Sequence, residues 1–125
     1  MIKQQFDVDG YWEVIIYYDV DYGLFYYIVD DLKSIGFSMT TIGEVRNNME
    51  SGKAKAVTCS HNHKSVVIFN KHLSKTDYIN SIVHEAEHIK QVMLDTYDVE
   101  DRGEPPAYTI GYLVGKMYEV FRTFI

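Results

Sequence analysis

Cysteine is nearly absent from this sequence, since Cys59 is the only one in 125 residues. A single cysteine cannot form an intramolecular disulfide, and it excludes a zinc site built from several thiolates. Because Cys59 lies in an apolar run typical of a strand, we expect it to be packed rather than reactive. The sequence therefore predicts a fold without covalent cross-links.

Long apolar runs and an excess of positive charge are missing as well. No stretch approaches the roughly 18 apolar residues of a membrane-spanning helix, and residues 1–5 lack the apolar segment of a secretory signal peptide. The net charge of −6 and the scattered basic residues oppose binding to nucleic-acid phosphates. These absences predict a soluble, cytoplasmic protein that associates with neither membranes nor nucleic acid.

The composition is that of an ordinary globular protein, with 46% hydrophobic and 24% charged residues. A chain of 125 residues fits one modest core, so residues 1–125 are predicted to form a single domain. The elements predicted in the front half are a strand over 11–18, a helix over 22–35, a shorter helix opened by a capping box at Thr41 and ended by Gly52, and a hairpin of two strands over 53–60 and 65–71.

The most informative segment is His84-Glu85-Ala86-Glu87-His88, which has the spacing of an HExxH motif. Residues four apart share one face of a helix, so His84 and His88 can reach the same metal ion. Glu85 flanks the open coordination position, where it is suited to act as general base toward a water molecule. The spacing predicts a zinc site; the alternative is a solvent-facing helix in which His and Glu simply pair.

The residues around the motif predict the helix that it requires. Ser74 opens a Ser-x-x-acid capping box, with Thr76 as the alternative cap, and the helix is expected over residues 77–97. Apolar residues at steps of three and four predict the buried stripe of this helix, and they are Ile79, Ile82, Val83, Ala86, Ile89 and Met93. The two histidines lie beside that stripe, so the motif is expected to border the core.

Two histidines leave the predicted site incomplete, because a catalytic zinc usually has three protein ligands. The extended pattern HExxHxxGxxH is not present, since Gln91 and Leu94 occupy the positions of its Gly and third His. An acidic residue after the motif is therefore the expected third ligand. The candidates are Asp95, Asp98, Glu100, Asp101 and Glu104.

Glu104 is the favoured candidate among these acidic residues. It follows Gly103, which suits a turn, and it precedes Pro105 and Pro106, which suit the first turn of a helix continuing over residues 107–124.

Small residues recur every four positions in that helix, at Ala107, Gly111 and Gly115. Glycine inside a helix costs about 1 kcal/mol relative to alanine, which suggests a compensating close contact with a second helix. A metal ligand shared between two helices would need such an approach. Ordinary tight packing without a metal is the alternative.

The motif His84-Glu85-x-x-His88, followed by Gly103-Glu104-x-x-Ala107-Tyr108, resembles the gluzincin metallopeptidases, and most of all their compact minigluzincin and prophage-type members. The resemblance covers about the last half of the chain. It implies an α+β, zincin-like fold, in which a small, mainly antiparallel sheet packs on the HExxH helix beside a C-terminal helix. It also implies that His84, His88 and Glu104 bind Zn²⁺ and that Glu85 is the base.

The resemblance further implies a peptide or protein substrate. Zinc would lower the pKa of its bound water to about 7, Glu85 would take the proton, and the hydroxide would attack a peptide carbonyl. Tyr108 is the candidate for stabilising the oxyanion, with packing as its alternative role, and Asp95 is a candidate partner for the ligands. In such proteins extended peptide pairs with a sheet edge, and residues 66–70 are the nearest segment.

Two other functional classes remain open from the sequence. One is a zincin-fold module that binds a peptide or partner protein, or regulates it, without cleavage. The other is a metal-free structural or regulatory protein of phage origin. The sequence leaves the substrate and the oligomeric state undetermined.

Overall fold

The chain folds into four strands and four helices, and all four strands lie in its first 72 residues. The computed structural model describes residues 1–125. In chain order the elements are β1 (Ile2–Val8), β2 (Trp12–Tyr18), α1 (Phe25–Ser34), α2 (Met39–Glu50), β3 (Ala56–His61), β4 (Lys64–Phe69), α3 (Lys75–Thr96) and α4 (Glu104–Phe121). They are divided between two compact units, Met1–His72 and Leu73–Ile125.

The four strands form one sheet in the order β1-β2-β4-β3. The outer pairings, β1 with β2 and β3 with β4, are antiparallel, whereas the central pairing of β2 with β4 is parallel. A parallel pair needs a long crossover connection, and α1 and α2 lie within it. The α+β class and the small sheet are therefore confirmed, and the sheet is mixed.

The proposed substrate-pairing edge at residues 66–70 is wrong, because β4 is an interior strand. Val66 is paired with Ile15 of β2 on one side and with Cys59 of β3 on the other. No free ladder remains there for a peptide. The run from Val66 to Phe69 is fully buried, which is typical of a strand paired on both sides.

The predicted hairpin is confirmed, with a tighter turn than expected. Asn62 and His63 separate β3 from β4 and have φ values of 51° and 60°. Two successive residues with positive φ are typical of a type I′ turn, whose twist matches that of the paired strands. The turn therefore occupies two residues rather than four.

The capping box predicted at Thr41 is wrong, because α2 begins at Met39. The side chain of Ser38 caps the helix, accepting a hydrogen bond from the backbone N–H of Thr41 at 3.2 Å. Thr41 is thus the third helical residue, where its N–H needs the cap that Ser38 supplies.

The core of the first unit lies between the sheet and its two helices. Side chains of β2, β3 and β4 meet Phe25, Ile28 and Leu32 of α1 and Ile42 and Met49 of α2. Cys59 is buried in this cluster, as predicted.

The second unit consists of α3 and α4. Helix α4 buries Leu113, Met117 and Phe121, and the Phe121 ring lies 5.1 Å from the ring of Tyr78 on α3. None of the helices combines the length and the apolar character that crossing a membrane would require.

Candidate metal centre

Helix α3 presents the HExxH motif as the sequence predicted. Ser74 caps it by accepting a hydrogen bond from the backbone N–H of Asp77 at 3.1 Å, so the cap is Ser74 and not Thr76. The motif begins at the tenth residue of the helix, well inside its regular part. The backbone beneath both histidines is therefore helical throughout.

The buried face of α3 differs in part from the predicted stripe. Ile82, Ala86, Ile89 and Met93 are buried, whereas Ile79 and Val83 are exposed. The buried face instead takes in Tyr78, Glu85, Lys90 and Leu94. Glu85 belongs to the buried face, as expected of a motif that borders the core, whereas both histidines are exposed and face solvent.

The two histidine side chains converge on one point. Their Nε2 atoms are 3.1 Å apart, and their rings stand nearly perpendicular at 84°. Two nitrogens bound to a tetrahedral zinc at about 2.0–2.1 Å lie about 3.3 Å from each other. The separation of His84 and His88 therefore fits one metal ion that both imidazoles would bind through Nε2.

Glu85 brings a carboxylate beside this pair. Its Oε2 atom lies 3.9 Å from Nε2 of His84, and the potential ligand atoms of His84, Glu85 and His88 all lie within 4.8 Å of one another. Glu85 is only 4% exposed, whereas the His84 side chain is 69% exposed. The arrangement thus combines two accessible imidazoles with a carboxylate that is shielded from bulk water.

Glu104 lies outside this group of three residues. It is the first residue of α4, it is exposed, and it follows Gly103, whose φ of 79° and ψ of −154° suit only glycine. Asp95, Asp98 and Glu100 are also exposed and outside the group. The structure therefore brings together the three motif residues and leaves the acidic candidates apart from them.

Tyr108 is 57% exposed and stacks loosely on Tyr112, with ring centroids 6.3 Å apart. Tyr108 is therefore not packed in the core. Packing was the alternative to its predicted role at the oxyanion. Its hydroxyl is available on the solvent side of α4.

The close packing predicted for Ala107, Gly111 and Gly115 is wrong. All three residues are exposed, and a Cβ atom added at either glycine would have no neighbour within 4 Å. Helix α4 uses the opposite face for burial, through Leu113 and Met117. The small residues follow the helical period but lie on the face that makes no contact.

A polar cluster beside the motif was missed by the sequence analysis. Nζ of the buried Lys90 lies 2.8 Å from Glu87 and 3.0 Å from Asp101. The side-chain amide of Gln91 donates hydrogen bonds to both carboxylates. The Glu87-x-x-Lys90 spacing was a visible signal for the first pair, whereas the contact with Asp101 depends on how the following loop folds back.

The ionised state of this cluster is favoured by its own contacts. Hydrogen bonds from Lys90 hold the pKa of the carboxyls of Glu87 and Asp101 below their usual range. The hydrogen bond to Glu87 likewise raises the pKa of Lys90, against the opposing effect of burial. The cluster is therefore a charge-assisted link between α3 and the loop that precedes α4.

Comparison with models of protein families, with curated proteins and with solved structures finds no match to this chain. Its function has to be inferred from the motif residues and their geometry.

Proposed function

We propose that this protein is a zinc-dependent metallopeptidase of the gluzincin type, with His84 and His88 as two of its zinc ligands. The observation that carries the proposal is the 3.1 Å separation of the two Nε2 atoms beside the carboxylate of Glu85. The same separation also suits a direct hydrogen bond between the two rings, and zinc is favoured by the HExxH spacing and by the Glu85 carboxylate beside them. The zincin-like character of the fold is part of the same proposal.

Each motif residue has a distinct role in this proposal. His84 and His88 bind the metal through Nε2. Glu104, which lies outside the group of three motif residues, would move toward the metal to supply the third ligand from the start of α4. Zinc held there supplies Lewis-acid chemistry, lowering the pKa of a water molecule to about 7 and polarising a peptide carbonyl.

Glu85 acts as the general base. Its carboxylate accepts the proton of the attacking water and then delivers it to the departing amine of the substrate. Burial supports this role, because a carboxylate shielded from bulk water keeps a fixed position beside His84. Tyr108, whose hydroxyl is exposed one turn after Glu104, is the proposed donor to the oxyanion that forms on the substrate carbonyl.

The experiment that tests this function compares the wild type with Glu85→Gln on a library of fluorogenic peptides in zinc-supplemented buffer. The wild type is expected to cleave at least one peptide, and the isosteric variant is expected to bind zinc equally well without cleaving. Glu119→Gln is the matched control, since it makes the same change at an exposed glutamate of α4 outside the motif and should retain cleavage.

Two outcomes would replace the proposal with its alternatives. Zinc binding without cleavage of any peptide, accompanied by peptide binding, would make the protein a zincin-fold interaction module. Absence of zinc binding would favour the metal-free regulatory class. Cleavage that persists in Glu85→Gln would contradict the role of Glu85 directly.

A further inference from the structure

The loop between α3 and α4 is held on the HExxH helix by four side chains. Two donors, Lys90 and Gln91, lie on α3, and each contacts both of two acceptors, Glu87 on the same helix and Asp101 in the loop. The four contacts form a closed ring. We call these residues the Lys90 cluster.

Lys90 is shielded from water more than its two partners, whose side chains are 47% and 40% exposed. Its side chain is only 9% exposed, and a charge removed from water is tolerated only when it is paired and hydrogen-bonded. Two carboxylates meet that requirement for one ammonium group. Lys90 therefore favours the loop conformation that brings Asp101 to α3 over conformations that leave the ammonium with Glu87 alone.

The position of the ring along the chain links it to the candidate metal centre. Glu87 immediately precedes His88, and Asp101 lies three residues before Glu104. Three extended residues span at most about 10 Å, so anchoring Asp101 confines the backbone of Glu104 within that radius. The previous anchor of the loop is the Val99 N–H, which donates to the carbonyl of Leu94 at 2.9 Å.

These lengths allow an estimate of how much zinc affinity would fall if Asp101 no longer anchored the loop. Glu104 is five residues beyond Val99, so without the Asp101 anchor the reach grows to about 17 Å and the volume roughly fivefold if nothing else restrained Glu104. Packing of α4 through Leu113, Met117 and Phe121 also restrains its start, so about fivefold is the upper limit of the loss in zinc affinity.

We propose that Lys90 is a positioning residue that, through Asp101, places Glu104 for binding of the metal held by His84 and His88. The inference rests on the proposed function, because it takes zinc as the ligand and Glu104 as its third protein partner. Lys90 does not touch the metal in this proposal. It acts only by restricting where α4 can begin.

The test is a double-mutant cycle read out as zinc affinity, measured by competition with a chromophoric chelator. Lys90→Met keeps the length of the side chain and removes its charge. In the wild-type background it is expected to weaken zinc binding by less than about fivefold, because the hydrogen bond from Gln91 still holds Asp101 in part. In the Glu104→Ala background it is expected to change nothing, since the side chain that it positions is no longer there to bind metal.

Two further variants complete the test. Arg102→Gln is the matched control, because Arg102 lies in the same loop and pairs only with Glu100 at the surface, so zinc affinity should be unchanged. Asp101→Asn removes the negative charge at the loop end of the contact without touching a buried residue. It should reproduce the loss seen in Lys90→Met, and it serves as the test if Lys90→Met does not fold.

The outcomes separate this inference from the proposed function. A wild type that binds no zinc overturns both. A wild type that binds zinc, with affinity unchanged in Lys90→Met and Asp101→Asn, overturns only the positioning role. An equal loss of zinc affinity with and without Glu104 also overturns the positioning role, because Lys90 would then affect zinc binding through the histidines and not through Glu104.

Discussion

Nε2 of His84 and Nε2 of His88 lie 3.1 Å apart on the exposed side of α3, one helical turn from each other. This is the relationship on which the proposed metal site depends. It arises from the four-residue spacing on a capped helix, and it requires no contribution from the rest of the chain.

Glu104→Gln should weaken zinc binding without abolishing it. The two imidazoles remain, and the neutral amide is a poorer ligand for zinc than the carboxylate. We expect affinity to fall by at least about 10- to 100-fold, the loss typical of an outer-shell partner of a metal ligand, measured by chelator competition. Glu100→Gln is the control, since Glu100 is exposed and paired with Arg102. Unchanged affinity in Glu104→Gln would remove Glu104 from the site.

Tyr108→Phe should lower kcat and leave both KM and zinc content nearly unchanged. Loss of a single oxyanion donor costs about 100-fold in other hydrolases, because the donor acts mainly in the transition state. Tyr112→Phe, which alters the stacking partner of Tyr108, provides the comparison. If both variants show the same small effect, Tyr108 has no catalytic role.

Gly111→Ala should stabilise the protein. Gly111 is in the middle of α4, and a Cβ atom there would meet nothing within 4 Å. Replacement by alanine should raise the free energy of unfolding by about 0.5–1 kcal/mol, as measured by urea denaturation. Destabilisation would indicate that this face of α4 packs closely on another surface after all.

The Lys90 cluster should make the stability of the metal-free protein depend on acid pH. The pKa values of Glu87 and Asp101 are lowered in the folded state, so their stabilising contribution is complete above their unfolded values of about 4. It is lost as the pH falls through the lower folded values. The difference in unfolding free energy between wild type and Lys90→Met should therefore shrink below about pH 4.

Urea denaturation at pH 7 and pH 3, in the presence of a chelator, measures this difference. The chelator is needed because protonation of the histidines would otherwise release metal and alter stability separately. A difference that is the same at both pH values would mean that Lys90 contributes through packing alone.

Local sequence signals were sufficient to predict the helix that carries the motif. Ser74 and Asp77 identified the start of α3 through their spacing, and His84 and His88 required only that the helix be regular. The hairpin of β3 and β4 was predictable for the same reason, since its turn lies between two apolar runs. Each of these features depends on residues that are close along the chain.

Features set by distant contacts could not be predicted in this way. The strand β1 was missed because Gln4 interrupts its apolar alternation, and it is recognised only by its pairing with β2. The periodic glycines Gly111 and Gly115 indicated a helix face, but periodicity does not tell which face is buried. The pairing of Lys90 with Asp101 likewise depends on the path of a loop.

The most direct test of the metal site is the zinc content of purified protein, determined by elemental analysis after exhaustive dialysis. The account predicts about one zinc per chain in the wild type, with loss of bound zinc in both His84→Ala and His88→Ala. His72→Ala, outside the motif, should retain the metal. Stoichiometric zinc that survives both motif substitutions, or a wild type that binds none, would contradict the account.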